Sequence, residues 1–171
     1  MNRIVLSRDF GQTVWLRLIL VSGCVVFADQ ITKYLIKINL AVYDHIVIVE
    51  KFFNLTHILN PGGAFGFFAS QSLEIRKFIF LFMSSLVAVF VLWFYKRCAL
   101  EFVFLSYGLA LIFGGALGNL IDRFRYGKVV DFLDFYIGSA HWPAFNIADS
   151  AISIGMCILI YHILLKKMPE V

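Results

Sequence analysis

Charge is scarce in this sequence. Asp, Glu, Lys and Arg make up 15% of the 171 residues, where soluble domains carry roughly a quarter. Apolar residues reach 61%. That balance excludes an ordinary soluble globule and implies a polytopic membrane protein. The length suits one domain. Histidine is also sparse. His45, His57, His141 and His162 are scattered with no H-E-x-x-H, so a metallopeptidase lacks its ligands. The three cysteines, Cys24, Cys98 and Cys157, sit in or beside apolar runs without paired spacing. They make neither a zinc motif nor a disulfide framework, and read as buried inert thiols. No G-x-S-x-G and no P-loop is present. Lys and Arg form no cluster with interleaved polar residues, which argues against a nucleic-acid partner.

What is present is apolar length. A span needs about 20 residues, and four segments supply it, at about 14–38, 73–95, 100–122 and 144–165. Arg17 can snorkel to the near interface. The tetrapeptide Val21-Ser22-Gly23-Cys24 has the form of a lipobox, but the apolar run continues past it. Gly114 and Gly118 form a G-x-x-x-G that lets a neighbouring helix approach. Pro143 suits the start of the fourth helix. Between the spans lie two outer regions, about 41–72 and 123–143. In the first, 45–49 and 52–58 are β-branched and aromatic around Glu50-Lys51, which reads as a hairpin at the membrane surface. Asn60-Pro61-Gly62-Gly63 ends it. The fold expected is an all-α polytopic membrane protein in a single domain. Its four transmembrane helices carry a small β-cradle at the outer surface.

Charge density sets the orientation. With both termini inside, the short inner segments hold Arg3, Arg8, Arg17, Lys96, Arg97, Lys166 and Lys167 against Asp9, Glu101 and Glu170. The polar residues then converge on one depth. Asp29 and Lys33 lie at the outer end of the first helix, Asn119 and Arg123 at that of the third, and Asn146 and Asp149 at that of the fourth. Asp131 is in the loop between. Ionisable residues at such a depth are costly and mark function. Asp29–Lys33 and Asn119–Arg123 each share a helix face. The plainer reading is that such pairs glue helices together, but Asp149 has no basic partner at helix spacing.

Two carboxylates held about 4–5 Å apart repel by roughly 3–4 kcal/mol at an effective dielectric of about 20, or two to three pKa units. They keep one shared proton. The charged member takes a proton from water, and the neutral one protonates the carbonyl oxygen or leaving amine. A proton-coupled membrane carrier would use the same carboxylates, and a passive assembly subunit would use them as glue. A carrier needs polar residues through the bilayer, and the inner halves of the last three spans are apolar.

Five blocks in order carry a resemblance. They are Asp29-Gln30-Ile31-Thr32-Lys33, Asn60-Pro61-Gly62-Gly63-Ala64-Phe65, Gly118-Asn119-Leu120-Ile121-Asp122-Arg123, Val129-Val130-Asp131-Phe132 and Phe145-Asn146-Ile147-Ala148-Asp149. With them the chain resembles the lipoprotein signal peptidases (signal peptidase II), aspartic peptidases of the bacterial inner membrane. The Pro61 and Gly63 positions depart from the family's usual pattern and stiffen that loop. The resemblance implies that Asp131 and Asp149 are the catalytic dyad; spacing alone does not choose them over Asp29, Asp122 or Asp134. It further implies that Asn119, Arg123, Asn146, Asn60 and Gly62 position the substrate or the dyad, with Asp29 and Lys33 in support. Asp122 and Asp134 are left as interface charges. The implied substrate is a prolipoprotein with a diacylglyceryl-modified cysteine, cut just before that cysteine. No metal or organic cofactor is implied. Membrane lipids and globomycin-type inhibitors are the implied partners, and a monomer the implied working form. The implied location is the cytoplasmic (inner) membrane, with both termini cytoplasmic and the site near the periplasmic face. A lid over residues 64–70 and a substrate cradle near 128–136 complete the expectation.

Overall fold

A computed structural model describes residues 2–62 and 71–165, without the side chains of residues 2–11 and 73. The elements run α1 (Asn2–Asn39), β1 (His45–Val49), β2 (Phe53–Asn60), α2 (Leu73–Cys98), α3 (Val103–Tyr126), β3 (Val129–Ile137), β4 (Ala140–His141) and α4 (Ile147–Leu164). All four helices are long and apolar enough to cross a membrane. The expected class therefore holds: four spanning helices and a small antiparallel sheet.

Three local readings differ. Residues 129–137, expected as loop, are strand β3 and form the centre of the sheet with β2. The fourth helix starts at Ile147, because Asn146 caps it; Pro143 lies outside it, in the extended approach where Phe145 bridges Leu133. Cys24 and Cys157 are exposed on their helices, and only Cys98 is buried.

Helix α3 is the axis. Each of the other helices packs on it, while α2 and α4 make no packing contact with each other among the described residues. Glycines permit the closeness. A Cβ at Gly114 would stand 2.8 Å from the Ser22 backbone of α1, and one at Gly115 would stand 2.4 Å from the Ala148 carbonyl of α4. At the end remote from the sheet, Tyr95, Leu105, Leu109 and Ile112 pack with Val14 and Leu18 into an apolar core. Tyr95 donates its hydroxyl to the Val14 carbonyl at 2.7 Å. Arg17 does not simply reach for the boundary. Its guanidinium ties α1 to the α2–α3 turn at the Ala99 carbonyl and to α3 at the Ser106 hydroxyl.

The sheet sits where α1 and α3 end and α2 and α4 begin. Its order is β1-β2-β3-β4. Glu50 and Lys51 form the β1–β2 turn, with Lys51 at φ 60. In the β2–β3 register Ile58 faces Asp131 and Asn60 faces Val129. Asn60 and Asp131 are therefore diagonal neighbours on one face of the sheet.

Candidate active site

Asp131 lies on β3 and is buried. Both of its oxygens are occupied. Asn60 Nδ2 donates to Oδ2 at 2.9 Å, and Asn146 Nδ2 donates to Oδ1 at 2.6 Å. Asn60 is in turn held by the Gly62 N–H, which donates to its Oδ1 at 2.9 Å. Gly62 has φ 96, a conformation that favours glycine, and the Phe80 ring leaves no room there for a Cβ.

Asp149 sits in the first turn of α4, where the helix dipole favours an anion. It forms a reciprocal cap with Asn146. The Asp149 N–H donates to Asn146 Oδ1 at 2.9 Å, and the Asn146 N–H donates to Asp149 Oδ2 at 3.3 Å. Asn119 Nδ2 of α3 donates to the other carboxylate oxygen at 2.8 Å. Asn146 is thus bonded to both carboxylates, to one through its side chain and to the other through its backbone.

Behind the pair lies a second buried layer. Lys33 Nζ is 2.8 Å from Asp29 Oδ2, 3.0 Å from Asp122 Oδ2 and 3.1 Å from Asn119 Oδ1. Asn119 Oδ1 also accepts from Asn146 Nδ2 at 3.3 Å. With its oxygen so engaged, the Asn119 amide must turn its NH2 toward Asp149. Asp29 reaches α4 as well, accepting the Ala148 N–H at 2.9 Å. Removing one member of a buried ionic cluster such as Asp29–Lys33–Asp122 costs about 3–5 kcal/mol.

Two residues of this layer escaped the sequence reading. Asp122 is not an interface charge. It is buried, and it accepts Val130 N–H at 3.2 Å, one residue before Asp131. Gln30 spans Asp122 Oδ1 at 3.0 Å and Asp29 Oδ2 at 3.2 Å. A signal for Asp122 existed, since it lies three residues from Asn119 on one helix face. Asp134 is also mostly buried, but apart from the pair: it accepts from Asn54 at 3.0 Å and contacts His141 Nδ1 at 2.8 Å.

Arg123 lies alongside. Its Nη1 makes long 3.4 Å bonds to Ser84 Oγ and to the Asn119 carbonyl, and its buried Nε has no partner. All the site residues expected from the sequence therefore come together, Asp29 and Lys33 as the layer behind. Residues 64–70, expected as a lid, lie outside the described residues. Burial pushes the Asp131 carboxyl up to about 6; the Asn60 bond opposes the rise, and the Asp149 charge adds to it. Such a pair can hold one proton and activate water.

Comparison with known proteins finds relatives over most of the chain. The family model described as signal peptidase (SPase) II matches residues 21–165. A lipoprotein signal peptidase of Desulforapulum autotrophicum is 59% identical over 154 residues, covering 90% of this chain and 95% of its own. One of Syntrophus aciditrophicus is 40% identical, with 89% and 94% covered. A bacterial membrane enzyme solved in meso at 2.3 Å superimposes with a TM-score of 0.77 at 34% identity, covering 88% of each chain.

Proposed function

The chain belongs to the signal peptidase II family and is a membrane peptidase, and from that premise we propose that it is an aspartic endopeptidase whose dyad is Asp131 and Asp149. Its substrate class is the prolipoprotein, from which it removes the signal peptide. The proposed cut falls just before the diacylglyceryl-modified cysteine. The observation that carries the dyad is Asn146, which hydrogen-bonds to both carboxyls at once.

Asp131, whose carboxyl burial raises to about 6, is the member placed to carry the proton into the reaction. Asp149, at a helix N-terminus and accepting from Asn119, is placed to act as the base. Asp149 takes a proton from water as that water attacks the scissile carbonyl. Asp131 gives its proton to the carbonyl oxygen; as the tetrahedral intermediate collapses, Asp149 passes its proton to the leaving amine and a diol hydroxyl returns one to Asp131. Arg123, with donors unmet, is suited to receive substrate carbonyl oxygens. Asn119, Asn146, Asn60 and Gly62 hold the two acids in place, and Lys33, paired with Asp29, holds Asn119. No step calls on a metal or cofactor. The signal helix enters from the bilayer, and the lipid tails of the substrate remain in it. The enzyme works as a monomer in the cytoplasmic membrane, with its termini inside and its dyad near the outer face. Globomycin-type inhibitors compete for the same pocket.

The test is cleavage of a diacylglyceryl-modified substrate by Asp131→Asn and Asp149→Asn. Each is expected to lose at least about a hundredfold in kcat while melting as a folded protein. Full turnover by either variant refutes the dyad. EDTA is expected to leave activity intact.

A further inference from the structure

Helix α2 opens with a cation in an unfavourable place. Arg76 lies close to its N-terminus, where the helix dipole disfavours positive charge. Arg76, Phe80 and Ser84 are four residues apart and share one helix face. That face looks into the site. The Phe80 ring crowds Gly62 and lies 5.8 Å from the Arg123 guanidinium carbon. Ser84 accepts the long bond from Arg123. Arg76 therefore stands one turn, about 6 Å, beyond Phe80 toward the start of α2.

Its head group is short of acceptors. Arg76 Nε is sealed from solvent without a hydrogen-bond partner, and among the described residues Arg76 forms no ion pair. Arg123 Nε is in the same condition. Two guanidiniums thus follow one another along the side of the site, both with donors to spare. Buried donors are ordinarily paired, so a shortfall on a site wall calls for a ligand that brings acceptors.

Extended substrate backbone brings them, one carbonyl per residue at about 3.3 Å spacing. On the function proposed above, the signal helix lies in the bilayer alongside the spans. The chain beyond the cut leaves at the sheet end, where α2 begins and Arg76 sits. We infer that Arg76 is a substrate-binding residue that holds main-chain carbonyls of the mature segment, about two or three residues beyond the cleaved bond. Arg123 serves carbonyls nearer the bond. The site then reads the substrate on both sides of the lipidated cysteine.

The experiment compares two diacylglyceryl-modified substrates, one ending at the modified cysteine itself and one continuing for about six residues more. For Arg76→Ala the expected result is a KM about tenfold higher on the long substrate. Its kcat stays within about twofold, and its constants on the short substrate are those of the parent protein. Arg76→Lys, which keeps the charge but not the planar fork, falls between. Equal KM changes on both substrates mark a structural role and overturn the inference, as does an unchanged KM on the long one. Should Arg76→Ala not fold, Arg76→Gln, with two N–H donors, takes its place under the same criteria. Asp131→Asn run in parallel separates the two claims: a dead Asp131→Asn beside a neutral Arg76→Ala removes this inference alone, and an active Asp131→Asn removes the dyad.

Discussion

Asp131 is a carboxyl held by two amides in a place water hardly reaches. Its folded pKa of about 6 stands above the ordinary 3.8, so the folded protein binds this proton more tightly than the unfolded chain. The stability this contributes is full below about pH 4 and is lost as pH rises through about 6. The ceiling is about 3 kcal/mol. Unfolding in detergent at about pH 4 and about pH 7 is expected to show wild type losing more stability across that interval than Asp131→Asn, which has no proton to titrate there. Equal losses would remove the shift. The residues most legible in the sequence were those whose type is odd for their surroundings: Asp29, Lys33, Asn119, Asn146 and Asp149 amid apolar runs. Asp122 and Gln30 were not, because each stands beside a stronger candidate and their partners come from distant segments. Choosing Asp131 over Asp134 rested on the family likeness. Both are buried on the same strand, and only tertiary pairing separates them.

At the scale of elements, α3 and α4 meet along glycines. A Cβ at Gly115 would lie 2.4 Å from the Ala148 carbonyl, the residue before Asp149. Gly115→Ala must push α4 outward and carry Asp149 away from Asn119. Overpacking of this kind costs about 1–3 kcal/mol, and a displacement near 1 Å can cost about a hundredfold in rate. The expected outcome is a kcat loss well beyond what the drop in melting temperature explains, measured on one lipidated substrate. Gly23→Ala, with nothing within 4 Å, is the control and is expected to be silent. Helices were legible here because apolar runs of spanning length have few alternatives. The β1–β2 hairpin was legible from β-branched residues around a turn. Strand β3 was not, because its alternation is broken: Val129, Val130, Asp131 and Phe132 are all buried, as befits a strand covered on both faces. The α4 start was placed too early, at residue 144 beside Pro143, for a related reason. The cap belongs to Asn146, whose side chain also serves the site.

For the whole molecule, the sheet and the proposed dyad share one end of the four-helix bundle, and orientation decides what they meet. With the termini inside, the Gly138-Ser139 turn at the tip of the sheet faces the outside. A Ser139→Cys variant is expected to react with a membrane-impermeant maleimide added to intact spheroplasts, while the parent chain, with Cys24 and Cys157 on lipid-facing helices and Cys98 buried, does not. Labelling only after lysis would reverse the topology. The apolar plug of Leu105, Leu109, Ile112 and Tyr95 has a further consequence. From Ser106 to Asn119 the central helix rises about 20 Å, and Ser106 is tied to Arg17 at the remote end. A proton released at the proposed dyad would meet hydrocarbon in that direction. Water, proton and cleaved amine must therefore enter and leave by the sheet end. On the proposed mechanism, a pair of acids that could have short-circuited the energised membrane is wired to one compartment only, and catalysis would run at the pH of that side.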